Sequence, residues 1–271
     1  MGCIMRHLLS FECEGATLGA TLDDPGAETG VLIATGGTQT RIGSHRLFER
    51  LADALASKGL ACFRFDRRGI GDSDGEDPGF RGNAPDIAAA LAAFRVRSPS
   101  LKRILGLGLC DGATSLALFG SGLDGLIMIN PWLVETKVDT PAPAAIRHHY
   151  KQQLLSLAGW KRLLTGAISI PKLLKGLRKS LSQAPAAGLG GEVAAGLRSF
   201  GAPVELILAR HDATAVAAES VWRSKPFAAS IGPLEVRITH IDSDAHTFSR
   251  PGDFERLLEC CLSAVQRSGG D

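Results

Sequence analysis

The feature that most constrains the fold is the run Gly106-Leu107-Gly108-Leu109-Cys110-Asp111-Gly112. It closes an apolar segment, residues 104–109, and opens a helix-like one, residues 113–119. Strand, sharp turn and helix in that order put residue 110 at the tip of a tight corner. Gly108-x-Cys110-x-Gly112 has the spacing of G-x-S-x-G, with a thiol where a hydroxyl is usual. Such a corner strains the backbone of the tip residue. Side chains two residues to either side would collide with the neighbouring strand and helix. Cys110 is therefore the candidate nucleophile; the competing role for a free cysteine is that of a small buried hydrophobe.

The rest of the chain supplies the elements such a corner needs. Residues 6–22 alternate as two antiparallel strands broken near Glu14-Gly15. Apolar runs at 30–35, 60–65, 104–109, 123–130, 204–209 and 234–239 read as further strands. Helical patterns fall at 44–57, with Ser44 as N-cap, and at 84–96, 216–227 and 251–267. Strands alternating with helices predict an α/β fold, a mainly parallel central sheet with helices on both faces. Residues 134–199 hold helix-like pieces and no convincing strand, so they read as an inserted helical cap. Residues 1–133 and 200–271 then form the core.

A thiol nucleophile needs a base to form thiolate, and the base needs an orienting acid. In a corner of this type the order along the chain is nucleophile, acid, histidine. Asp212 follows the 204–209 run, and His246 lies in a loop between the 234–239 run and the last helix. Loops at the carboxyl ends of parallel strands converge above the sheet, where Cys110 must lie. Asp212 and His246 are the candidate acid and base. His240 is the rival base but lies too near its strand end, and His148 and His149 fall in the cap. Asp242 and Asp244 are rival acids. Asn130 and Pro131 stand after the apolar residues 123–129, where an acid would be the other option, and this favours Asp212.

An oxyanion also needs two backbone N–H donors. Asp111, at the helix N-terminus, is expected to give one. Thr35-Gly36-Gly37-Thr38-Gln39 follows the 30–35 run; Gly37 is the first choice for the second donor and Thr38 the next. Thr38, Trp132 and Tyr150 are the candidate substrate-binding residues. The segment Phe65-Asp66-Arg67-Arg68-Gly69-Ile70-Gly71-Asp72-Ser73 lacks the lysine of a phosphate loop and fails G-x-G-x-x-G. It reads as a structural turn in which Asp66 and Arg67 satisfy backbone groups.

Composition narrows the function classes. With 45% apolar residues the chain can bury a core without disulfides or metals. Its six cysteines show neither a disulfide framework nor zinc spacing, so reduced thiols, no metal and no cofactor are expected. No apolar run approaches the roughly 18 residues of a membrane span, and MGCIMRHLLS turns polar too soon for a signal peptide. A cytoplasmic location is expected. The net charge of +2 leaves no nucleic-acid footprint, and no nucleic-acid partner is expected. Nine Lys or Arg against two acids make residues 134–183 locally basic. A solvated helix face is the first reading of that charge. The others are a carrier-bound substrate, such as a phosphopantetheine arm, and weak contact with an anionic membrane surface.

These residues together resemble the α/β hydrolase superfamily across nearly the whole chain. GGTQTRIGSHRLFERLADALASKGLACFRFDRRGIGDSDG, GLCDGA and HHYKQQLLSLAGWKRLL are similar to the first type of exosortase A system-associated hydrolase. That family is bacterial and occurs beside exosortase and exopolysaccharide genes. There is also a more distant similarity to dienelactone hydrolases, which use a cysteine nucleophile. The resemblance implies the α/β-hydrolase fold and a Cys110–His246–Asp212 triad. Thr35-Gly36 stands where His-Gly is usual in the superfamily. The expected activity is hydrolysis of a small-molecule carboxylic ester or thioester through an acyl-cysteine. Acyl transfer by the same triad and a non-catalytic binding protein are the alternatives.

Overall fold

A computed structural model of the chain describes residues 5–134 and 188–268. One sheet contains β1 (Met5–Cys13), β2 (Ala16–Asp24), β3 (Thr29–Ala34), β4 (Ala61–Phe65), β5 (Arg103–Leu109), β6 (Gly125–Ile129), β7 (Val204–Ala209) and β8 (Val236–Ile241). The strand order is β1-β2-β4-β3-β5-β6-β7-β8. β1 and β2 form an antiparallel hairpin, and β2 joins β4 antiparallel. All remaining pairings are parallel, so the strands from β3 onward end on one edge.

Period-two alternation sorts the strand residues between two apolar layers. Leu32, Leu126, Met128, Leu206 and Leu208 face one layer. It includes side chains of α2 (Ala84–Arg97), α3 (Asp111–Phe119), α4 (Leu189–Phe200), α5 (Ala213–Trp222) and α6 (Lys225–Ile231). Val31, Ile33, Leu105, Leu107, Leu109, Ile127 and Ile207 face the other layer, with α1 (Leu47–Ala56) and α7 (Asp253–Arg267). The amphipathic face of α1 buries Leu47, Phe48, Leu51 and Leu55 there, each contributing about 1.5–3 kcal/mol. On β5 the residues facing α3 are glycines. A Cβ on Gly106 would come within 2.7 Å of Leu123, and one on Gly108 within 2.5 Å of the Ala113 nitrogen. The missing side chains let α3 lie directly on the strand.

Several local expectations change, and β8, read at 234–239, lies two residues later at Val236–Ile241. Ser44 makes no capping bond; a 3-10 turn, Ser44–Arg46, with left-handed His45 and Arg46, leads into α1. The helix expected at 216–227 is instead two, because Ser224 caps a new start and Pro226 stands in the first turn of α6. Arg67 does not satisfy backbone groups: its guanidinium forks onto Asp77 at 2.8 and 2.9 Å. The last residues of the expected cap range form α4. This helix buries Leu189, Val193, Ala194 and Leu197 and lies so close to α3 that a Cβ on Gly196 would sit 2.3 Å from the Ala117 carbonyl oxygen. The expected cap residues 135–187, Tyr150 and the cap histidines among them, fall outside the described residues.

Asp66 matches its expectation. It is fully buried and accepts from the Arg41 guanidinium, the Arg41 N–H and the Asp72 N–H. It thereby anchors the loop that follows β3. Asp66→Ala would leave two amides unpaired and the Arg41 guanidinium with only Asp72 and Thr21, so the variant is expected to lose about 3 kcal/mol in urea unfolding. A loss below about 1 kcal/mol, typical of an exposed pair, would contradict the anchoring role.

Candidate active site

The candidate site begins at the corner between β5 and α3. Cys110 has φ 58° and ψ −126°, in the left-handed half of backbone space that costs a non-glycine residue about 1–3 kcal/mol. Hydrogen bonds hold it there. The Cys110 N–H donates to the Ile129 carbonyl at 3.0 Å, and its own carbonyl accepts from Trp132 N–H at 3.2 Å and Thr114 N–H at 3.3 Å. The thiol is half-buried beside His246.

Asp212 ends the loop after β7 and caps α5, accepting from Ala215 N–H at 2.9 Å. The same Oδ2 accepts from His246 Nδ1 at 3.0 Å. Cys110 is the ring's other partner. Burial pulls the imidazole pKa down. Hydrogen bonds to Asp212 and Cys110, then the charges of both, outweigh burial and raise it from 6.5 to about 10. The imidazole thus has the Asp212 carboxylate and the Cys110 thiol as its partners. The rival groups are engaged elsewhere. His240 Nε2 meets Glu219 at 3.0 Å, Asp242 meets His211 at 2.9 Å, and Asp244 pairs with Arg250 at 2.8 and 2.9 Å.

Burial raises the thiols of Cys13, Cys62, Cys260 and Cys261, that of Cys13 to about 11 with help from Asp86. These four are neutral core thiols.

From the sequence Asn130 stands only where an acid is missing. In the structure it is fully buried with φ 42° and uses both ends of its amide. Nδ2 donates to the His246 carbonyl at 2.8 Å, and Oδ1 accepts from Ala209 N–H at 2.8 Å. Asn130 thus ties the end of β6 to the end of β7 and to the histidine loop. A polar residue closing an apolar strand was the only signal in the sequence.

Gly36 and Gly37 lie against the corner, and a Cβ on Gly36 would meet the Leu109 carbonyl oxygen at 2.4 Å. The expected donor, the Gly37 N–H, is committed to Asp111 Oδ1 at 2.5 Å. Thr38 is exposed on the same loop. Trp132 is half-buried; its N–H meets Cys110 and its carbonyl accepts from Thr114 Oγ1 at 2.7 Å. Among the described residues no cluster of His, Cys, Asp and Glu has the arrangement of a metal site, and no helix is long and apolar enough to cross a membrane.

No protein-family model matches the chain, and no curated protein does. Solved structures do. The Pyrococcus furiosus esterase Pf2001 superposes with a TM-score of 0.67 at 14% identity, over 97% of this chain and 91% of that one. A dienelactone hydrolase from Anabaena variabilis gives 0.64 at 13%, over 97% and 98%. Est1E from Butyrivibrio proteoclasticus, solved with ferulic acid, gives 0.62 at 17%, over 95% and 99%. The chain has the α/β-hydrolase fold.

A histidine pKa raised by folding contributes stability that is full below the unfolded value near 6.5 and is lost as pH climbs through about 10. NMR titration of the His246 imidazole is therefore expected to show a midpoint of about 10 in the wild type, moving toward 6.5 in Asp212→Asn. A wild-type midpoint already near 6.5 would contradict the ion-pair assignment.

Proposed function

We propose that the chain is a hydrolase that cleaves a carboxylic ester or thioester through an acyl-cysteine. The observation that carries this reading is the His246 imidazole held between Asp212 and Cys110, at the tip of a strained corner. The thiolate Sγ attacks the acyl carbon, a C–S bond forms, and the carbonyl electron pair moves onto oxygen. The tetrahedral species collapses, the bond to the leaving alcohol or thiol breaks, and His246 Nε2 supplies the proton. Neutral His246 then takes a proton from water, whose oxygen attacks the thioester. Collapse returns the thiolate and releases the acid, with Asp212 orienting the ring throughout. The backbone N–H groups of Asp111 and Gly37 are the proposed oxyanion donors, Gly37 once it is freed from the Asp111 side chain. Thr38, Trp132 and Tyr150 are the proposed substrate contacts, Trp132 being bonded through its N–H to the Cys110 carbonyl.

The named activities of Pf2001 and of the Anabaena enzyme, esterase and dienelactone hydrolase, support an ester-type carbonyl as the target. A thiol nucleophile forms an intermediate that is itself an activated thioester, so activated acyl donors are the preferred class. The basic stretch 134–183 supports a substrate carried on an anionic arm. The five unpaired thiols among the described residues are consistent with a reducing, cytoplasmic setting. The resemblance in residues 36–75 and 108–113 supports a place beside exosortase and exopolysaccharide systems.

Steady-state hydrolysis of acyl thioesters and matched alkyl esters tests the assignment. Cys110→Ala and His246→Ala are each expected to lower kcat/KM by about 10³-fold or more, with thioesters cleaved faster than alkyl esters by the wild type. Full activity in Cys110→Ala would contradict the nucleophile. Faster cleavage of the alkyl esters would contradict the substrate preference.

A further inference from the structure

Asp111 has two parts with opposed effects on the site. Its backbone N–H lies in the first turn of α3, behind the nucleophile, where it suits a developing oxyanion. Its side-chain Oδ1 accepts from the Gly37 N–H, the other proposed oxyanion donor, at 2.5 Å. A Cβ built on Gly36 would lie 2.7 Å from that Oδ1 and 3.0 Å from Cys110 Cβ, so carboxylate and nucleophile share one small space. The bond spans 74 residues and is exposed to solvent, so no burial locks it in place. A carbonyl oxygen that is to reach Gly37 must displace this carboxylate, and its developing negative charge meets a like charge there.

A carboxylate accepts hydrogen bonds and donates none. An acyl group that carries a donor replaces the lost Gly37 N–H inside the site, whereas one that carries none leaves the carboxylate to turn away to solvent. The nearest place to carry that donor is the carbon next to the scissile carbonyl, one hydrogen-bond length from the carbonyl oxygen. We infer that Asp111 is a specificity-determining residue. Its carboxylate closes the Gly37 donor to plain acyl groups and yields it to acyl groups bearing a hydroxyl beside the scissile carbonyl. This rests on the acyl-cysteine reading above.

The test compares wild type, Asp111→Ala and Asp111→Asn. Acylation by the propionyl and lactoyl thioesters of N-acetylcysteamine is followed by rapid-quench intact mass, beside alkylation by iodoacetamide. Alkylation needs the thiolate but no oxyanion donor, so dividing by it removes any change in thiolate population. Propionyl acylation, so normalised, is expected to rise at least about tenfold in Asp111→Ala. It should rise less in Asp111→Asn, whose amide oxygen still accepts from Gly37. The wild-type preference for lactoyl over propionyl should shrink in Asp111→Ala by about the same factor. An unchanged or lower normalised rate, or the same lactoyl preference in both proteins, overturns the proposal. An acid that merely stabilises the helix N-terminus would change the melting temperature and neither ratio. If no variant is alkylated at Cys110 and none is acylated, the acyl-cysteine reading itself fails and takes this one with it.

Discussion

The site depends on how closely the backbone of the β5–α3 corner approaches the end of β3. A Cβ on Gly112 would lie 2.5 Å from the Ala34 carbonyl oxygen, and one on Gly36 would lie 2.4 Å from that of Leu109. At such distances main chain packs on main chain, and no side chain fits between. Cys110 therefore does not choose its left-handed conformation. Strand on one side, helix on the other and the β3 loop above impose it, and the surrounding hydrogen bonds offset the strain. The result is a thiol projecting beyond the sheet edge, with helix-terminal N–H groups behind it.

Given that corner, the parallel sheet brings the remaining groups to it, because the loops after β3, β5, β6, β7 and β8 open on one edge. Loops alone would leave the groups loosely aligned, and two buried polar residues restrain them. Asn130 links the ends of β6 and β7 to the histidine loop. Asp66 fixes Arg41 and with it the β3 loop. Asn130 bonds to residues 79 and 116 positions away and Asp66 to Arg41 25 positions away, so each residue converts tertiary packing into alignment of the site. Asp111 runs against this pattern, since its side chain occupies the Gly37 N–H, a proposed oxyanion donor.

Much of this was legible in the sequence, for identifiable reasons. The corner was legible because Gly108, Cys110 and Gly112 follow an apolar run and precede a helical one, and only a few backbone shapes accept that spacing. The loop carrying Asp212 was legible because β7 is short, apolar and sharply ended; β8, with Arg237, Thr239 and His240, runs to Ile241, two residues past its expected end, and the His246 loop still follows it. The break between α5 and α6 was written in Ser224 and Pro226 but hidden by continuous apolar periodicity. The roles of Asn130 and of the Asp111 side chain were not legible. Each depends on a partner that only the folded chain brings near: residue 246 for the one, residue 37 for the other. Local pattern carries no information about such pairs.

The central claim is that Cys110 carries the acyl group. Intact-protein mass after brief exposure to a panel of acyl thioesters and activated esters, with peptide mapping of the adduct, tests it directly. A single acyl adduct on Cys110 that decays as free acid appears, and is missing from Cys110→Ala, is the predicted result. Turnover without an adduct at Cys110, or the same adduct in Cys110→Ala, would contradict it.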